Sequence, residues 1–293
     1  MNPSLRIAPT VASASPIREA LQLRAQGRLR EALDALTTPS EFSTDFYILR
    51  GDLQLELEQV KEAAGSYFTI TAAEPDNVYA QRNLGVCLRR LGRWEAAAEA
   101  LQAVLKFDPH RDEVRLELGD CLMHLRRNEE ALACFDQCWS DGARRRAVFG
   151  RAVALQHLRR FDEAETNYER LLRLDPAAEE ALYNLIAMGL EVFDLNRVQQ
   201  YSRRLLDLNP RSSAAHKGLV LVALERRDYE TAATHFFQAA ELEPDLMRTA
   251  SKTDAEDKDG LVEYRIQRKV FDTLMAAGKN QPGRAARASG GAY

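Results

Sequence analysis

Apolar residues in this chain fall in stretches of about a dozen, with the i, i+3, i+4 spacing of one helical face, and polar breaks of a few residues separate them. The breaks are themselves periodic. Pro75, Pro109, Pro176, Pro210 and Pro244 each close an apolar stretch, in the contexts AAEPDN, KFDPHR, RLDPAA, DLNPRS and ELEPDL. Their spacings are 34, 67, 34 and 34 residues, so one unit has lost its proline near Ala143. Proline disfavours helical backbone at the residue before it, and a polar residue just beyond can cap the next helix. A second break falls midway through a unit, as in LRAQGRLREALDAL and LRRLGRWEAAAEAL, where Gly27 and Gly92 suit the left-handed residue that ends a helix. The pattern predicts an all-α array of about seven helical hairpins, over 13–43, 44–77, 78–111, 112–144, 145–178, 179–212 and 213–246.

Within the units, certain residue types return in phase. Residues 78–111 carry Leu84, Gly85, Leu88, Ala97, Leu101 and Pro109; other units repeat the set with Gly51, Ala63 and Tyr67, with Gly119, Ala131 and Phe135, with Ala152, Ala164 and Tyr168, and with Leu219, Ala232 and Phe236. Through these residues, over about 13–246, the chain resembles the tetratricopeptide repeat family, whose unit reads W-x2-L-G-x2-Y, then A-x3-F, then P. The resemblance implies an α-solenoid wound as a right-handed superhelix, and a protein or peptide partner held in its concave groove. The packing argument runs the same way. A small residue on the first helix and an alanine on the second let the pair approach closely, and the large aromatic fills the space to the next unit. Ile186 and Val220 break that rule, so the last two units must pack differently there. Gly189, inside a helix, is expected to be a weak point.

After Pro244 the pattern changes. Residues 247–278 read as a charged linker followed by a capping helix over 261–278, and 1–12 and 279–293 read as disordered ends. The chain has 45% apolar and 29% charged residues and a net charge of −4 with both signs interspersed, which gives it no overall attraction to polyanions or anionic membranes. Its first fifteen residues lack the apolar run of a secretory signal, and a cytoplasmic location is the expectation. Cys87, Cys121, Cys134 and Cys138 have neither zinc nor redox spacing and are expected to be reduced. No cofactor is implied.

Aligning the units puts Asp45, Ile48, Leu49, Asp52, Tyr79, Arg82, Asn83, Arg89, Arg90, Glu113, Glu117, Asp120, Arg146, Phe149, Tyr183, Asn184 and Lys217 on first helices, where the resemblance implies a partner-binding groove. Of these, Tyr79, Arg82, Asn83, Arg89, Arg90, Glu117, Asp120, Phe149, Tyr183 and Asn184 form the candidate site. Ile48 and Asp52 or, one unit later, Arg82, Val86 and Glu117 stand where chaperone-binding members carry a carboxylate clamp, so that subtype is not expected. Two other readings compete. Glu117, Asp120 and His124 share a helical face, with His157 equivalent to His124 in the next unit, which is a possible metal or enzymatic site. Arg28, Arg90, Arg93, Arg126, Arg127, Arg159, Arg160, Arg226 and Arg227 gather at the turns and form a ridge for phosphate or an acidic partner if the units stack in register. Basic and aromatic residues do not interleave there as base-stacking surfaces require, so nucleic acid is the weaker use of it. Trp94 and Trp139 read as core.

Overall fold

A computed structural model describes residues 15–36 and 42–246, together with Thr273 and Ala276. The described residues hold fourteen α-helices and no strand, so the chain is all-α and built from helical hairpins. None of these helices is long and apolar enough to cross a membrane. The expected capping helix over 261–278 lies outside the described residues.

The chain divides into two compact units, Met1–Arg159 and Arg160–Tyr293. The first contains α1 (Ser15–Ala25), α2 (Leu29–Ala35), α3 (Thr44–Glu56), α4 (Val60–Ala73), α5 (Val78–Arg90), α6 (Trp94–Phe107), α7 (Asp112–His124), α8 (Asn128–Asp136) and α9 (Asp141–His157). The second contains α10 (Phe161–Leu174), α11 (Glu179–Glu191), α12 (Leu195–Leu208), α13 (Ser213–Glu225) and α14 (Tyr229–Leu242).

In the first unit the helices close on one another where the sequence places its small residues. Ala63, Ala97 and Ala131 are fully buried, as are Tyr67 and Leu101. Phe135 of α8 is held between two glycines: a Cβ on Gly119 of α7 would stand 2.5 Å from its ring, and one on Gly150 of α9 would stand 2.6 Å from it. No side chain fits in either gap, which fixes α9 against both α7 and α8. The missing proline near Ala143 is replaced by a polar device. The buried Asp112 carboxylate accepts from the backbone N–H groups of Trp139 (2.9 Å) and Ser140 (2.7 Å) and pairs with Arg115 at 2.9 Å. Burial works to raise its pKa, but these backbone bonds and the Arg115 charge outweigh it and hold the carboxyl below its ordinary range.

That device corrects one sequence expectation. Because α8 stops at Asp136, Trp139 falls in the connection to α9 and is 83% exposed rather than buried. Trp94, the first residue of α6, is only half-buried. Leu49, aligned to the groove, is instead a core residue.

The second unit keeps the alanines and aromatics (Ala164, Tyr168, Ala232 and Phe236 are all buried) but moves its close approaches. Ile186 and Val220 are buried as they stand. Contact shifts to Gly189, whose Cβ would meet Val198 at 3.0 Å, and to Gly218, whose Cβ would meet Ser202 Oγ at 2.5 Å. Gly189 is therefore a packing position, and reading it as a weak point missed that role.

Turn chemistry follows the sequence with one addition. Asn77, Ser212 and Asp228 cap α5, α13 and α14 by accepting backbone N–H bonds. Gly27 and Gly92 have φ of 75° and 70°, as expected. The same left-handed place is taken elsewhere by Glu58, Arg126, Arg159, Phe193 and Arg227.

Candidate functional site

The first helices of the first unit carry most of the aligned polar residues, and the structure sorts them by partner. Asp52 of α3 accepts from two tyrosines at one oxygen, Tyr67 Oη at 2.6 Å and Tyr79 Oη at 2.7 Å, while Arg24 Nη1 lies 3.8 Å from the other. Tyr79 is 48% exposed. Burial of its phenol, and then the bond to Asp52, push it up to about 12, so it is a neutral hydroxyl with an open ring face at all ordinary pH. Asn83, one turn along α5, lies beside that hydroxyl. Arg82 reaches Glu117 of α7 at 3.6 Å, and the other Glu117 oxygen is buried with no hydrogen-bond partner. Arg82 thus covers a buried carboxylate, and losing it would strand that charge.

Arg89, Arg90, Asp120, Arg146 and Phe149 converge on a cleft of about 680 Å³, while Asp45, Ile48 and Glu113 lie outside it. Its walls include Arg89 and Arg90 at the end of α5, Asp120 and His124 of α7, and Arg145, Arg146, Phe149 and His157 of α9. Asp120 is the only carboxylate on the lining. Arg146 Nη2 donates to it at 3.0 Å, and Arg89 Nη1 stands 3.8 Å away. Burial raises the Asp120 pKa against the pull of both arginines. Arg90 also donates to Glu58, in the preceding hairpin turn. Trp94 lies flat on His124, with ring centroids 3.8 Å apart and planes 7° off parallel, making an aromatic wall of a cleft that Phe149 also lines. Four guanidinium groups, one carboxylate and aromatic faces together suit an anionic group attached to an apolar one.

Sequence alignment found Arg89, Arg90, Asp120, Arg146 and Phe149 of this cleft. It missed Arg145, next to a residue it had placed, and it assigned Trp94 to the core. A tryptophan at the first position of a helix has only half a turn of neighbours to cover it, which was the available signal.

The competing readings fare differently. Of the candidate metal set, Glu117 faces Arg82, Asp120 faces two arginines and His124 lies on Trp94; among the described residues no three His, Cys, Asp or Glu side chains come together as metal ligands. Three of the nine ridge arginines pair with the helices that follow them. Arg28, Arg127 and Arg160 close on Glu31, Glu130 and Glu163, each three residues along the following helix. These contacts place each glutamate at the third helical position and neutralise those three arginines. Cys87 and Cys121 are fully buried, and burial pushes the thiols of all four cysteines up to about 11, which keeps them protonated and unreactive.

In the second unit Tyr183 and Asn184 are engaged close to home. Tyr183 Oη donates to Glu179 at 3.3 Å and accepts from Ser212 Oγ at 3.4 Å, and Asn184 Nδ2 donates to the Glu180 carbonyl of its own helix at 3.0 Å. Lys217 pairs with Glu243 at 3.1 Å.

Comparison with known proteins agrees with the repeat pattern. A tetratricopeptide repeat profile matches residues 48–112, 145–191 and 198–246, and a second profile of the same description matches 88–155. No curated protein matches the chain in sequence. Among solved structures, the chain is similar to the C-terminal part of a tetratricopeptide repeat protein from Cytophaga hutchinsonii (TM-score 0.66, 15% identity, 88% of this chain and 99% of that one). It is similar also to a tetratricopeptide repeat protein from Parabacteroides merdae (TM-score 0.55, 16% identity, 89% and 97%). A third, YrrB, is described as a tetratricopeptide repeat protein with an unusual peptide-binding site (TM-score 0.50, 15% identity, 63% and 95%). At these identities the neighbours speak for the fold, and the profile matches, spread over more than half of the sequence, place the chain in the tetratricopeptide repeat family.

Proposed function

We propose that this protein is an interaction scaffold, and that its first unit binds a partner segment in the cleft between α5, α7 and α9. The observation that carries the reading is the meeting of Arg89 and Arg146 at Asp120, the one carboxylate among the described lining residues, beside the Trp94–His124 stack. A segment bringing carboxylates to Arg89 and Arg146 and an aromatic or aliphatic side chain to Phe149 satisfies both. Helical hairpins make the surface rigid before binding, which lowers the ordering cost of complex formation. The peptide-binding site described for YrrB, on the same fold, supports a peptide as the class of ligand.

The test uses a charge-neutralising triple variant, Arg89→Gln, Asp120→Asn and Arg146→Gln, which removes both arginines together with the carboxylate they share. Arg82 is left in place because of Glu117. The variant is expected to keep the wild-type melting temperature and to lose binding to peptides that combine glutamate with phenylalanine. Binding that survives it, but is lost when Arg28, Arg126 and Arg127 are neutralised, would assign recognition to the turn edge.

A further inference from the structure

The first unit carries a second concavity on its other side, where α4 and α6 flank α5, with a volume of about 960 Å³. Leu84 and Leu88 of α5, with Leu91 just past its end, form its floor. Small residues form the walls: Ala64 and Gly65 on α4, and Ala96, Ala100 and Ala103 on α6. Phe68, 63% exposed, stands on one rim. Along α4 the lining runs from Lys61 to Thr71 and along α6 from Arg93 to Ala103, which at the helical rise is about 15 Å, or three turns.

Gly65 is the feature that the chain's own packing does not explain. Glycine is a poor helix former, so one in a helix interior needs a reason. Gly51, Gly85, Gly119, Gly150, Gly189 and Gly218 have one, since a Cβ on any of them would come within 3.0 Å of a neighbour. Gly27 and Gly92 have another in their positive φ. Gly142 sits in the first turn of α9. Gly65 is mid-helix with ordinary φ, and a Cβ there would meet nothing within 4 Å. Its bare backbone faces the groove.

The charges on the groove are also unspent. Lys61 and Arg93, at the end where α4 and α6 begin, have no ion-pair partner among the described residues, and neither does Glu99, six residues beyond Arg93 on α6. By contrast Arg24, Arg82, Arg89, Arg90, Arg115 and Arg127 of the same unit are all paired.

We propose that this outer groove docks one helix of a partner protein, crossing close to the backbone at Gly65. The partner helix is amphipathic and about three turns long. Its apolar stripe covers Leu84, Leu88 and Phe68, acidic residues at one end meet Lys61 and Arg93, and a basic residue farther along meets Glu99. Small residues along both walls admit a helix backbone at short range, and three apolar anchors at i, i+3 or i+4, and i+7 fit the length of the floor.

The experiment displays a library of helical peptides about four turns long to the intact chain and measures the selected peptides by fluorescence polarisation. They are expected to carry the apolar stripe with an acidic end. Gly65→Arg puts a long side chain into the groove at a place where its Cβ meets no atom within 4 Å, so it should weaken them about tenfold or more while the melting temperature holds or rises. Lys61→Glu with Arg93→Glu should shift the selection to basic-ended helices. The triple variant of the α5–α7–α9 cleft should bind the selected peptides as wild type does, which separates this groove from the cleft. Failure to select any helix, or selected helices that bind Gly65→Arg unchanged, would overturn the proposal. A groove occupied by a second copy of the chain, seen as a dimer that Gly65→Arg dissolves, would overturn it too, as would Gly65-dependent binding to lipid vesicles in place of peptide.

Discussion

The two units of this protein meet the same packing requirement with different chemistry. In the first, glycines on α7 and α9 clasp Phe135, and the polar groups that are buried include partnered ones, Ser66 donating to Gln54 at 2.7 Å and Asp112 accepting from the Trp139 and Ser140 N–H groups. In the second, bulkier Ile186 and Val220 occupy the repeat's small-residue places, the close approaches move to Gly189 and Gly218, and the buried polar groups include a histidine. Ser202 is fully buried, its hydroxyl with no hydrogen-bond partner. His216, 5% exposed, is held at both ring nitrogens, 3.1 Å from His235 Nδ1 and 3.2 Å from the Pro210 carbonyl. The comparison teaches that the repeat period decides where helices must nearly touch. Which residue yields the space is a local matter, and the local choice sets how each unit responds to mutation and to pH.

The comparison breaks most readily at Phe135. Gly119→Leu drives a side chain into the ring and should destabilise the first unit by about 3 kcal/mol, seen as a lower denaturation midpoint. An unchanged midpoint would mean that α7 and α8 are not in contact there. A smaller effect separates the units by pH. Burial lowers the pKa of His216 and, with the neighbouring His216, that of His235, so both are neutral in the fold. Unfolded histidine takes up a proton near pH 6.5. The contribution of this pair to the second unit's stability is therefore fully present above about pH 6.5 and is lost as pH falls from there through the lowered values. Thermal melts at neutral and mildly acidic pH should show this loss in wild type and a flatter profile in His235→Phe. Equal pH dependence in the two proteins would remove the pair from the account.

Much of this fold could be read from the sequence, because its determinants are local and repeat. Gly27 and Gly92 marked two turns, the prolines marked helix ends, and Ala63, Ala97 and Ala131 fell where helices meet. What could not be read depends on neighbours distant in sequence. Gly150 serves Phe135 fifteen positions back, Gly218 serves Ser202, and Asp112 caps a connection 27 residues ahead, which is why Trp139 is exposed. The candidate cleft was half legible. Alignment placed Arg89, Asp120 and Arg146 on first helices, but their convergence on one carboxylate and the seat of His124 on Trp94 are properties of the assembled unit.

Two modest effects sharpen the contrast between regular and irregular sites. Phe193 holds φ of 58°, where Gly27 and Gly92 stand in the first unit, and is 63% exposed. Phe193→Gly should stabilise the second unit by about 1 kcal/mol by relieving the left-handed backbone. Ser202→Ala removes a buried hydroxyl that makes no bond, and should be neutral or stabilising by up to about 1 kcal/mol. A clear loss in either would show that the side chain has a role the packing does not reveal.

The central claim is that the arginines around Asp120 hold the carboxylates of a partner. Asp120 competes with any such ligand for Arg89 and Arg146, so its charge should oppose binding. The direct test is a titration of wild type, Asp120→Asn and the triple variant Arg89→Gln, Asp120→Asn and Arg146→Gln with one fluorescent peptide combining glutamate and phenylalanine. Asp120→Asn is predicted to tighten binding about fivefold, a gain of about 1 kcal/mol, and the triple variant to bind more weakly than wild type, at matched melting temperatures. Weaker binding by Asp120→Asn, or the same affinity in all three proteins, would contradict the account.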